Sequence, residues 1–159
     1  DRINLLAFDL LQNSGDKRKR KEHHHASLES VGVMLDNLVH VQDYPPSKII
    51  LGIPAYARHG TNPKHNVRTF AELIKDGYRD LDSNSYKGYL FDSPGRVRDK
   101  VELAKKFQLG GVFLWELGQD VQVRGAPGGM LLEAAAVGEY IFFSDEDLDI
   151  EEVDENEEL

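Results

Sequence analysis

Three nearly continuous apolar runs, separated by stretches of helical periodicity, limit what this chain can fold into more than any other feature. Ile3 to Leu10 is the first run, Lys48 to Tyr56 the second and Val112 to Leu117 the third. Runs that are apolar at consecutive positions, without alternation, read as strands buried on both faces, as in a parallel sheet. Between the first two, Leu28, Val31, Met34, Leu35 and Leu38 follow helical spacing after a capping Ser27, and Pro45 and Pro46 close that element. Pro54 lacks an amide donor, so the second ladder is expected to break near it. Residues 59–94 are polar and rich in turn formers, with a helical turn expected over Phe70 to Lys75 and a short strand over Gly88 to Asp92. Val97 to Phe107 reads as a helix with Val101 and Ala104 inward and Asp99, Lys105 and Lys106 outward, ended by Gly110 and Gly111. Met130 to Phe142 reads as a last helix. The order β-α-β-insert-α-β-α is that of an α/β fold with a parallel sheet.

Charge divides the chain in two. Residues 144–159 hold ten acidic residues and no basic ones, so the net charge of −9 belongs to the tail. Residues 1–143 hold 18 acidic and 19 basic residues, and a body so close to neutral favours neither nucleic acid nor an anionic membrane. The tail is expected to be disordered, because its charges repel and little apolar surface offsets ordering. With no cysteine there is neither a disulfide nor a thiolate metal site, and no cofactor or metal is expected. The chain opens on Asp1 and enters an apolar run at once, which suggests part of a longer protein; localisation is not legible.

The apolar runs also carry motifs. Asn4-Leu5-Leu6-Ala7-Phe8-Asp9-Leu10, then Lys48-Ile49-Ile50-Leu51-Gly52-Ile53-Pro54-Ala55-Tyr56-Ala57-Arg58, then Gly110-Gly111-Val112-Phe113-Leu114-Trp115-Glu116 occur in this order. Gly88-Tyr89-Leu90-Phe91-Asp92 precedes a helix containing Lys100. Together these resemble strands 6, 7 and 8 of the family-18 glycoside hydrolase (chitinase-like) barrel, over about residues 1–140. The resemblance implies the C-terminal part of a (β/α)8 TIM barrel. Such a barrel typically needs about 250 residues, so strands 6–8 leave it incomplete, with the N-terminal half of the barrel as missing partner.

It also implies a chemistry. Family-18 enzymes retain configuration by substrate assistance: the 2-acetamido oxygen of the sugar attacks the anomeric carbon, and one protein acid protonates the leaving oxygen. That acid belongs to an Asp-x-x-Asp-x-Asp-x-Glu motif on strand 4, which has no counterpart here, so the chain alone is expected to be inactive. Carried over residue by residue, Trp115 becomes the apolar floor under the sugar and Asp9 positions the acetamido nitrogen. Tyr56 and Arg58, on one strand face by parity, bind hydroxyl or acetamido groups. Phe8 stands where the family has a Tyr that donates to the acetamido carbonyl. The expected ligand is a β-1,4-linked N-acetylglucosamine polymer, hydrolysed by the complete protein or, in the alternative, only bound by a non-catalytic carbohydrate-binding module.

Without the resemblance the same residues have plainer readings. Trp115 reads as core, Asp9 as a turn cap, and Tyr56 with Arg58 as a surface cation–π pair. Lys17 to Lys21 and His23-His24-His25 read as a solvated loop, since adjacent histidines rarely converge on a metal. Asp147-Leu148-Asp149-Ile150-Glu151 imitates the strand-4 motif, but a run this acidic produces such spacing easily.

Overall fold

The computed structural model describes residues 1–10, 24–122 and 129–137. The basic run, His23, the acidic tail 144–159 with its Asp147–Glu151 imitation, and the end of the last predicted helix lie outside them.

A parallel sheet of three strands forms the centre. Strand β1 (Ile3–Leu5) pairs with β2 (Ile49–Pro54), and β2 pairs on its other side with β7 (Gly111–Trp115). The register runs Leu5↔Leu51↔Val112 and Gly52↔Phe113, ending at Pro54↔Trp115. Helix α1 (Leu28–Asp36) is capped by Ser27, which accepts from the Ser30 amide, and continues as a π-helical turn to Val41. Helix α3 (Pro94–Lys106) begins earlier than helical periodicity suggested. Ser93 caps it through the Arg96 amide and Pro94 fills the first turn, where a missing N–H costs nothing. Helix α4 (Met130–Val137) starts against Asp120, whose carboxylate accepts from the Leu131 and Leu132 amides.

The helix side of the sheet is covered, and the opposite side only in part. Ile49, Leu51 and Ala104 pack with Val31 and Leu35 into one apolar cluster. Ile53 joins a second with Phe91, Val97, Val121 and Leu131. The opposite face carries Asn4, Ile50, Gly52, Phe113 and Trp115 by register. There Leu6 is 55% and Trp115 47% exposed. The expectation of strands buried on both faces therefore holds for β2, buried at every position but Ile50, and fails for β1 and β7, which are only partly covered. The first strand is also shorter than its apolar run. After Leu5 the backbone turns, with the Ala7 amide donating to Leu5, and Asp9 adopts a left-handed φ of 58°.

The insert is better ordered than its composition suggested. Beyond Ala55 the second apolar run leaves the central sheet and becomes β3 (Tyr56–His59). This strand pairs antiparallel with β4 (Val67–Thr69) and β6 (Tyr89–Leu90), and β6 pairs with β5 (Ser85–Tyr86). Between them α2 (Phe70–Lys75) is closed by a reciprocal capping box of Thr69 and Glu72. Phe70, Tyr78 and Phe91 meet at ring distances of 4.9–6.1 Å and form the insert's aromatic core.

Candidate functional site

Past the C-terminal ends of β1 and β2, Tyr56 and Arg58 of β3 converge on one carboxylate. Asp9, just past β1, accepts from the Tyr56 hydroxyl at 2.8 Å through Oδ1. Arg58 grips the same carboxylate with two donors, Nη2 reaching Oδ2 at 2.6 Å and Nε reaching Oδ1. A planar guanidinium suits this two-point contact. The third Arg58 donor, Nη1, is fixed by the Pro63 carbonyl at 2.7 Å. The Arg58 carbon also sits 5.5 Å from the Tyr56 ring centre, so the two do form a cation–π pair, but with Tyr56 buried it is not a surface one.

Phe8 meets Tyr56 edge to face at 6.1 Å. Gly52 makes room for it: a Cβ there would come within 2.9 Å of the Phe8 and Leu5 atoms and 2.8 Å of the Phe113 ring. Trp115 ends β7 beside this group, its carbonyl accepting the Ala55 amide at 2.7 Å, and the Trp115–Glu116 peptide bond is cis. Its indole is half exposed among the described residues.

Burial opposes ionisation of Asp9, but the bonds from Arg58 and Tyr56 outweigh it and hold the carboxyl below its usual range. Tyr56 is driven the other way by burial and by Asp9, so its phenol stays protonated and remains a donor. Bonding to Asp9 raises the Arg58 guanidinium further. The site thus presents an anchored carboxylate, a phenol, a guanidinium and an exposed indole: hydrogen-bonding groups beside an apolar plate.

Two further residues belong here that sequence reasoning placed in a solvated loop. His25 is buried, and His24 nearly so. His24 Nε2 donates to the Phe91 carbonyl at 2.6 Å while its Nδ1 accepts the Ala26 amide. His25 Nε2 donates to the Tyr56 carbonyl at 3.3 Å, and its Nδ1 faces the Asp9 amide at 3.4 Å and Asp9 Oδ1 at 3.3 Å. The correction has a physical reason: each ring satisfies a carbonyl of the insert sheet or the stretch that follows it, and an amide beside it, which a solvated loop cannot do. Behind them Lys100 is fully buried and pairs with Asp92, whose Oδ1 lies 3.6 Å from His24 and has no hydrogen bond. The signal for Lys100 was available, since Val97, Lys100, Val101 and Ala104 share a helical face at i, i+3, i+4 and i+7. No signal marked the histidines.

Among the described residues no group of three or more His, Asp or Glu could hold a metal ion, and no helix is long and apolar enough to cross a membrane. A groove of about 880 Å³ between β1 and α1, lined by Leu5, Leu10, Val33, Met34 and Leu38 among others, includes none of Asp9, Tyr56, Arg58 or Trp115.

The chain is similar to several known proteins. Endochitinase 1 of Metarhizium robertsii is 26% identical over 156 residues, 77% of this chain and 36% of that protein. The family-18 chitinase ChiB of Flavobacterium johnsoniae superposes with a TM-score of 0.68 at 28% identity, covering 87% of this chain and 42% of the other. A family-18 chitinase of Cycas revoluta, solved in complex with (GlcNAc)3, gives 0.59 at 25% identity, covering 76% and 43%. The chain therefore spans well under half the length of these relatives. The sequence model described as Glycosyl hydrolases family 18 matches residues 1–120, three quarters of the chain, and the chain belongs to that family.

Proposed function

We propose that this chain is the C-terminal portion of a family-18 (β/α)8 barrel, with β1, β2 and β7 as its sixth, seventh and eighth strands. The complete protein, in this reading, binds and hydrolyses β-1,4-linked N-acetylglucosamine polymers. The observation that carries it is the carboxylate of Asp9, held by Tyr56 and Arg58 beside the exposed Trp115 at the C-terminal ends of parallel strands. Active sites of such barrels lie at that end. The uncovered sheet face and the open groove along α1 are where further strands and helices would pack.

In this site Trp115 offers the sugar a flat apolar face, Asp9 accepts from the acetamido N–H, and Tyr56 and Arg58 bind polar groups around it. A bound acetamido group held in line with the anomeric carbon converts nucleophilic attack into an intramolecular step. The leaving oxygen needs an acid, and general acids contribute ~10²–10⁴-fold. The family's strand-4 carboxylate is not in this sequence, so residues 1–159 alone bind weakly and do not turn over. Phe8 favours a second reading, a carbohydrate-binding protein without catalysis, because the ring keeps its place and loses the donor.

A fluorogenic chitobioside separates these outcomes. The full-length protein should hydrolyse it and the isolated chain should not. Sustained turnover by the isolated chain, abolished by Trp115→Ala, would overturn the account of the missing acid. A full-length protein that binds chitotetraose and hydrolyses nothing would establish the second reading.

A further inference from the structure

We propose that His25 is a positioning residue for this site: its ring, neutral and protonated on Nε2, holds Asp9 in the left-handed conformation from which the carboxylate reaches Tyr56 and Arg58. The proposal rests on the sugar-binding reading above and adds to it the group that sets the geometry.

Asp9 has a φ of 58°, a region that non-glycine residues occupy only when something holds them there. Two contacts do so, and both come from His25. Its carbonyl accepts the Leu10 amide at 2.8 Å, and its Nδ1 faces the Asp9 amide at 3.4 Å. The ring is itself fixed. Nε2 meets the carbonyl of Tyr56, which can only accept, so Nε2 must carry the hydrogen and Nδ1 is left with its lone pair for the amide. His25 also stacks on His24 with ring centres 5.5 Å apart and planes 2° from parallel, and lies 5.1 Å from the Tyr56 ring. One imidazole therefore ties the turn after β1 to β3, the strand that supplies Tyr56 and Arg58.

Burial, with His24 and Lys100 acting in the same direction, keeps it neutral. From the turn after β1 it meets Asp9, and from β3 the Tyr56 phenol with Arg58 beyond. On its own segment it stacks against His24. Asp92 lies beyond, with Lys100 and Arg96 of α3. Asp92 and Asp9, whose Oδ1 lies 3.3 Å from Nδ1, favour a second proton on the ring, and burial outweighs them. Protonating Nδ1 would remove the acceptor that the Asp9 amide uses.

The test separates this role from packing and from the sugar-site reading. In [15N]histidine-labelled full-length protein at pH 7, without sugar, His25 should show a protonated Nε2 and an unprotonated Nδ1, assigned by loss of its signals in His25→Asn. Asn places an acceptor where Nδ1 was, and Gln places its amide nearer Nε2. Chitotetraose affinity should fall about three- to tenfold in His25→Gln, the range of one lost hydrogen bond. His25→Asn should recover most of that loss. A His25 protonated on Nδ1 at pH 7, or equal losses in the two variants, overturns the proposal. If the unsubstituted protein binds no oligosaccharide, the sugar-site reading fails, and the 13C titration of the Asp9 carboxyl still decides the role of His25. A midpoint raised in His25→Gln and kept in His25→Asn supports it, and identical midpoints overturn it.

Discussion

Replacing His25 by Asn should change how stability depends on pH, by an amount that follows from burial. His25 is pushed down to about 4 by burial and by its neighbour His24, against the pull of Asp92 and Asp9. In the unfolded chain an imidazole titrates near 6.5. Between these two values the unfolded state binds a proton that the folded state refuses, so stability rises with pH there and is lost as pH falls from about 6.5 to about 4. At 1.36 kcal/mol per unit the loss is about 3 kcal/mol. Asp120 works in the opposite sense. Burial raises it to about 6 despite the amides of Leu131, Leu132 and Val121, so the folded state holds a proton there that the unfolded state releases. Its contribution therefore improves as pH falls through the same window, and the total can look flat. Only the difference between wild type and His25→Asn isolates the histidine. Urea unfolding at pH 7 and pH 4 should show that difference moving by about 3 kcal/mol in favour of the variant, roughly 1–2 M in midpoint for a typical denaturant slope. Parallel pH profiles for the two proteins would refute the claim that His25 is buried and neutral.

Phe8→Tyr in the full-length protein should strengthen chitotetraose binding about three- to tenfold, the worth of one regained hydrogen bond; titration alongside a melt checks it, and a lower melting temperature without tighter binding would place Phe8 in ordinary packing. Lys100→Met leaves Asp92 buried without its cation and should cost about 3–5 kcal/mol, whereas replacing both partners by neutral residues should cost less, as a double-mutant cycle in denaturant would show.

Those elements whose cause is local were legible before the structure. Ser27 and Pro54 did what their chemistry dictates, capping α1 and ending β2, and Val101 with Ala104 faced inward as their spacing required. The three parallel strands formed within the apolar runs, but β1 keeps only three residues of its run, and Leu6 shows the limit of that inference. An apolar residue just past a strand end can remain exposed, and periodicity cannot report it. In the insert the helical turn Phe70–Lys75 and the strand within Gly88 to Asp92 were legible, while β4 and β5 escaped because they have only two or three residues each. Their pairing depends on Ala55, where the chain leaves one sheet for another. Of the site, Asp9, Tyr56, Arg58, Phe8 and Trp115 were reached through motif resemblance, and parity alone linked Tyr56 to Arg58. The convergence of both on Asp9, 47 and 49 residues earlier, is a tertiary fact. The histidines were misplaced because a basic, polar neighbourhood normally means solvent, while here two backbone carbonyls and two amides awaited partners.

In the proposed site the Asp9, Tyr56, Arg58 and Trp115 cluster receives an N-acetylglucosamine unit. Calorimetric titration of the full-length protein with chitotetraose, beside Trp115→Ala and a matched glucose tetramer, tests it most directly. The N-acetylated chain should bind, removal of the indole should weaken binding at least about tenfold, and the unacetylated sugar should show little affinity. Equal affinity for both sugars, or binding indifferent to Trp115→Ala, would contradict it.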